Sequence, residues 1–293
     1  MRKIFVLLAL FIYSSSILFA QKIDLGEDGK KKAIIPPRIT VDTTQAQIVY
    51  SFTIVNKRDS LDRPYGYRYR TLLNVGKKIS SFTDEEVYIA DSVTIEGVKQ
   101  GLTNQELYDK ILKVSSERRT FSDKVYVNYP AGKITTRTML AGGLYYYEEN
   151  IPAIKWKLTP DTATILGHKC KKATCELSGR DYEVWYTPNV PLNAGPWKFK
   201  GLPGLIIKAS DSKREVYFEC LSVHYPKNII PLSIPLKGDR TITTSKKEFF
   251  RLKKEHLKNP AILYSSVISS PNPANNRQLS KERKETFIEL VVE

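Results

Sequence analysis

The 293-residue chain holds only three Cys, three His, two Met and three Trp. So few soft or nucleophilic side chains leave little material for a metal cluster or a disulfide framework. Acidic residues are also in deficit, 31 Asp and Glu against 46 Lys and Arg. After the first twenty residues no apolar run reaches the ~18 residues a spanning helix needs, which excludes a multi-span helical membrane protein. Known catalytic signatures are missing as well: there is no G-x-S-x-G, no H-E-x-x-H, no phosphate-binding Gly-rich loop and no G-x-G-x-x-G.

What is present begins with a leader. Met1-Arg2-Lys3 precedes an apolar run from Ile4 that ends at Leu18-Phe19-Ala20, the plan of a signal peptide over residues 1–20 cut after Ala20. The expected location is the periplasm or outside the cell, and losing Arg2 and Lys3 leaves a net charge of +13. The excess cations are spread along alternating segments, so nucleic acid is not an expected partner. At 41% hydrophobic and 26% charged, the body is globular.

Residues 21–44 are polar and aperiodic, with Pro36-Pro37, and read as a flexible arm before one domain over residues 45–293. Alternation with period two dominates that domain. Residues 47–56 and Tyr65–Val75 read as strands, followed by Lys124–Tyr129, Lys133–Thr138, Leu144–Glu148, Ala153–Leu158, His168–Leu177, Tyr182–Thr187, Leu205–Ser210, Glu215–Tyr225 and Thr286–Val292. Turn clusters such as Ser178-Gly179 and Asp211-Ser212-Lys213 make consecutive hairpins. Two capping boxes, Thr103–Glu106 and Ser245–Glu248, start two short amphipathic helices. The expected fold is mainly β: a strongly curved antiparallel sheet or part-open β-barrel with two short helices, α+β being the variant. Ser265–Arg277 reads as a surface loop.

His168, Cys170 and Cys175 share one strand, Cys220 and His224 another. Strand parity puts Cys170 and Cys175 on opposite faces, so they are not expected to bridge. A Cys170–Cys220 or Cys175–Cys220 disulfide and three buried thiols both remain open, and neither metal nor cofactor is expected. Glu148 and Glu149 are adjacent, so their carboxylates diverge.

The segment Trp185–Ile206 is the most unusual, with four Pro and three Gly among Trp, Phe and Leu. Such a loop is either a plug that closes the core or a docking lip. The candidate binding residues of the lip are Trp185, Pro196, Trp197, Phe199, Gly201, Leu202, Pro203 and Gly204.

Gly201-Leu202-Pro203-Gly204-Leu205-Ile206 also resembles the signature of the GLPGLI family, exported proteins of Gram-negative bacteria. Gly167–Ala173, Trp185-Tyr186-Thr187-Pro188 and Gly195–Phe199 extend the resemblance, with Leu73–Phe82 and Glu148–Trp156 matching more loosely; His168 stands where the family has Tyr. The resemblance implies an envelope location and supplies no catalytic residue. On this reading the chain is a non-catalytic envelope binding or assembly protein, working through a concave sheet or the Trp185–Leu205 loop on an envelope protein, lipid or peptide. The alternatives are a periplasmic hydrolase built from separated Asp and Glu, and a structural accessory of an outer-membrane transporter.

Overall fold

The computed structural model describes residues 24–259, apart from 59, 62, 117, 118 and 240, together with 288–290. Residues 1–20, Ser265–Arg277 and most of Thr286–Val292, read above as leader, loop and last strand, lie outside the described residues.

Twelve strands form one sheet built from two meanders. The first runs β2 (Ala46–Arg58), β3 (Pro64–Val75), β4 (Ser80–Asp84), β5 (Lys124–Val127), β6 (Lys133–Leu140) and β7 (Gly143–Asn150). The second runs β8 (Lys157–Ile165), β9 (His168–Leu177), β10 (Arg180–Thr187), β11 (Leu205–Asp211) and β12 (Val216–His224). They join where β12 pairs antiparallel with β2, so the order is β7 to β2, then β12 to β8. A short parallel strand, β14 (Thr241–Thr243), flanks β7. The sheet is curved and stays open, with β14 and β8 at its edges.

Turn chemistry sets the hairpins. Ala141-Gly142, Leu166-Gly167 and Ser178-Gly179 are left-handed at both positions, and the flanking residues pair directly: Leu140 with Gly143, Ile165 with His168, Leu177 with Arg180. That is the two-residue turn whose twist matches the strands it joins. The seam between the meanders is pinned by Phe52 and Phe218, which face each other in register and stack at 4.4 Å.

Four helices occur among the described residues, against two expected. α1 (Gly26–Lys30) and β1 (Arg38–Thr44) lie within the stretch read as an arm, and β1 pairs with β13 (Ile230–Pro235) as a separate two-stranded sheet. α3 (Asn104–Val114) and α4 (Lys246–Lys258) start where expected: the capping box at Thr103 is complete, and Ser245 accepts from Glu248 N. α2 (Glu85–Lys99) was not foreseen, because Val87, Ile89, Val93, Ile95 and Gly97 all lower helix propensity. Asp84 caps it and Val87, Ala90 and Gly97 are buried, so packing decides. β8 begins four residues later than expected; Pro160 and a bulge between Leu158 and Thr162 are tolerated because it is an edge strand.

Candidate functional site

The inner face of the curved sheet is filled from within. The chain between β10 and β11 turns back into it, burying Pro196, Trp197, Phe199, Leu202 and Gly204. Trp197 is 1% exposed, and Phe199 meets Tyr182 edge-on at 4.9 Å. Gly204 has φ +146, and a Cβ there would stand 2.2 Å from Thr187 O, so only glycine fits. The segment ties its own backbone: Leu205 N donates to Val190 O and Ile206 N to Ala194 O, both 3.0 Å. Tyr50 Oη, 2.7 Å from Ile206 O, fixes it to β2. Of the residues read as a docking lip, Gly201 and Pro203 are exposed, and Trp185 is half-buried with Lys172 Nζ 6.0 Å from its ring centre.

The soft ligands do not converge. β10 and β11 separate β9, with His168 and Cys170, from β12, with Cys220 and His224. No group of three or more ligating side chains forms among the described residues. All three Cys are buried and free. The parity argument for Cys170 and Cys175 fails: both join the main core cluster. Between them the alternation of β9 breaks at Lys171 and Lys172, opposite the point where the β8 ladder slips. Burial pushes the Cys175 thiol up to about 12, with help from Asp181, and Cys220 to about 11, so both stay protonated and unreactive.

The unusual chemistry lies at the β7 end of the inner face. Tyr145, Tyr147 and Glu149 alternate inward on β7, and Glu149 meets Lys198, which the buried loop carries between Trp197 and Phe199. Lys198 Nζ also donates to Glu289 Oε1. Lys246, the first residue of α4, lies 2.8 Å from Glu149 Oε2 and 2.7 Å from Glu289 Oε2. Two ammonium groups and two carboxylates therefore alternate in a closed ring. Lys198 is 1% and Glu289 2% exposed at the side chain, Lys246 13% and Glu149 14%.

Charges this deep persist only when paired. Burial alone would raise the Glu289 carboxyl, but the Lys198 and Lys246 charges outweigh it and hold it below the ordinary range. Burial likewise lowers Lys246, and the charges of Glu289 and Glu149 reverse the sign. Beside the ring, Tyr147 is fully enclosed, stacked on Phe249 of α4 at 5.3 Å. Burial, then the charges of Asp123, Glu289 and Glu149, push its phenol well up, so it stays a proton donor. Asp123 in turn accepts from Thr138. Glu148 points the other way, accepting from Tyr146 Oη at 2.7 Å.

None of Asp123, Tyr147, Glu149, Lys198, Lys246 or Glu289 stood out in the sequence as a site. The available signals were a single cation inside an otherwise apolar Trp-Lys-Phe run, and a carboxylate in phase with Tyr145 and Tyr147.

Residues 93–213, less than half of the chain, match the family model described as N-glycanase peptide, N-terminal domain. No curated protein matches. Two solved structures of PNGF-II, in space groups P21 and C2, align with 72% of this chain at 16% identity and a TM-score of 0.44. This chain covers 33% and 32% of them, about a third of their length.

These findings correct two expectations. The stretch that suggested the GLPGLI family, from Leu73–Phe82 to Ile206, is largely the stretch that matches the N-glycanase domain, and the GLPGLI assignment is withdrawn. The non-catalytic envelope binding or assembly role goes with it; the match favours the hydrolase alternative. No helix among the described residues is long and apolar enough to cross a membrane.

Proposed function

We propose that the chain is a hydrolase-type enzyme acting on N-glycan-bearing peptides, with the ring at the β7 end of the inner face as its reactive centre. The observation that carries this reading is the N-glycanase match over residues 93–213, which contains Tyr147, Glu149 and Lys198. Hydrolysis needs a group to activate water and a donor for the departing atom. Glu149, the more open carboxylate of the ring, is assigned the first role. Tyr147 keeps its proton and is assigned the second. Lys198 orients Glu149 and offsets negative charge as the bond breaks. Lys246 and Glu289 come from outside the matched stretch and complete the ring. The leader read at Met1–Ala20 would carry this activity across the inner membrane.

The test is direct. Purified protein is incubated with an N-glycosylated peptide and released glycan is quantified by mass spectrometry. Wild type is expected to release it, and Glu149→Gln and Tyr147→Phe to lose on the order of 100-fold or more. Thermal melts of both variants separate lost chemistry from lost fold. Absence of release by wild type at stoichiometric concentration would overturn the reading.

A further inference from the structure

The outer face of the first meander holds a second charged cluster, and it is not balanced. β1 contributes Arg38, β5 Lys124 and β6 Arg137, while α2 contributes one carboxylate, Asp91. Lys124 Nζ lies 2.5 Å from Asp91 Oδ2, and Arg38 Nη1 lies 3.9 Å from the same oxygen. Burial would raise the Asp91 carboxyl, but the charges of Lys124, Arg38 and Arg137 together hold it low. Three cations thus share one anion.

Two further observations point to a missing acceptor. Lys124 and Arg137 are direct cross-strand partners, a like-charge pairing that destabilises a sheet and that a single carboxylate, Asp91, already shared with Arg38, offsets only in part. The Arg137 side chain makes no hydrogen bond or ion pair with any described residue: Lys124 and Arg38 engage Asp91 directly, and Arg137 acts on it only through its charge. Arg38 donates from Nη2 to Ser233 O at 3.1 Å, yet its Nε is buried with no acceptor among the described residues. A buried guanidinium N–H without a partner is costly and uncommon. The cluster is still reached by water: Arg38 is 21%, Lys124 16% and Asp91 36% exposed at the side chain. Next to Arg137 across the ladder stands Tyr146, with Lys237 Nζ 3.7 Å from its ring centre, a fourth cation on the same face.

We propose that Arg38, Lys124 and Arg137 form a binding site for a tetrahedral oxyanion, phosphate or sulfate, where β1 and α2 cross the outer face of β5 and β6. Guanidinium groups suit such a ligand because they offer paired N–H donors to its oxygens. Asp91 acts there as an internal counter-ion that holds the cations together and competes with the ligand. The site lies on the opposite side of the sheet from Glu149, so it stands or falls independently of the hydrolase reading. The anion has two sources of the same chemistry, free in solution or esterified to a sugar.

Isothermal titration with inorganic phosphate, with chloride balancing ionic strength, tests the site, and titration with glucose 6-phosphate against glucose distinguishes the sources. Wild type is expected to bind phosphate, Arg137→Gln to bind it at least tenfold more weakly, and Asp91→Asn to bind it more tightly. Arg137→Gln removes a side chain that makes no hydrogen bond or ion pair among the described residues, so its melting temperature should stay close to that of wild type. Tighter binding of glucose 6-phosphate than of phosphate would assign the ester; equal binding would assign the free anion. No binding beyond the chloride control, or equal binding by wild type and Arg137→Gln, would overturn the proposal. Weaker binding by Asp91→Asn would also overturn it, since that variant removes negative charge.

Discussion

The two meanders are built alike and use their faces differently. In the second, β8 to β12, apolar side chains go inward onto the buried loop, and the outward side carries exposed pairs such as Lys208 with Glu219 at 3.1 Å. In the first, β2 to β7, α2 and the β1–β13 pair pack on the outside, while Glu149 and Tyr147 turn inward. Burying both faces of a strand forces some polar groups inside, and each buried charge then needs a partner. The first meander therefore carries both of the charge clusters on which function is proposed; the second serves chiefly as scaffold, with Arg180 and Asp211, each 2% exposed, as its enclosed ion pair.

The largest expected effect tests the scaffold. Trp197→Ala should cost ~3–5 kcal/mol in urea unfolding, as truncation of a fully buried aromatic does. Trp185→Ala, at a half-buried position, should cost about 1 kcal/mol or less. Similar losses at the two would mean that the buried loop does not hold the second meander together.

Charge burial comes next. Lys198→Met leaves Glu289 with half its counter-charge and should cost ~3–5 kcal/mol. Lys172→Met, on the second meander, breaks pairs to Asp161 at 3.8 Å and Glu183 at 3.3 Å, both with more than half-exposed carboxylates. Its cost should stay below about 1 kcal/mol. If Lys172 mattered as much as Lys198, the contrast between enclosed and solvated charge would fail.

The ring also predicts a pH dependence. Because the Glu289 carboxyl is held below its ordinary 4.5 in the folded protein, it releases its proton more readily folded than unfolded. Its contribution is complete above about pH 4.5 and is lost as pH falls through the lower folded value. Urea midpoints between pH 6 and 3 should fall more steeply for wild type than for Glu289→Gln. Parallel profiles would show that the ring does not hold Glu289 ionised.

The second meander was the more legible in sequence for the same reason. With one face wet, Thr174–Leu177 and Tyr182–Trp185 alternate openly and Ser178-Gly179 marks the turn, so strands and hairpins follow from the residues. In the first meander the helix Glu85–Lys99 hides behind β-branched residues, and β13 carries Pro231 and Pro235, which argue against a strand. Neither element is specified locally; each is fixed by what it packs on. The site was less legible still. Lys198 reads as one more cation until Glu149, Lys246 and Glu289 meet it from 49, 48 and 91 residues away, and no local pattern encodes that meeting. The plug reading of Trp185–Ile206 was within reach because an apolar loop has few other places to go.

The smallest effect asks whether the meanders differ only in their faces. Gly142 joins β6 to β7 and Gly179 joins β9 to β10, at φ +82 and +79 respectively. Alanine at either position must hold a left-handed backbone, which costs about 1 kcal/mol. Each turn follows a residue that is itself left-handed, Ala141 and Ser178, so the local geometry is the same. Gly142→Ala and Gly179→Ala should therefore shift the urea midpoint equally, although the first lies beside the α4 cluster and the second beside Ser178, whose carbonyl accepts from Leu290 N. A larger loss at Gly142 would place part of the difference in the turns, because the α4 helix would then depend on the β6–β7 hairpin adopting one twist. Equal losses would leave the contrast where the charges put it, on the faces of the strands.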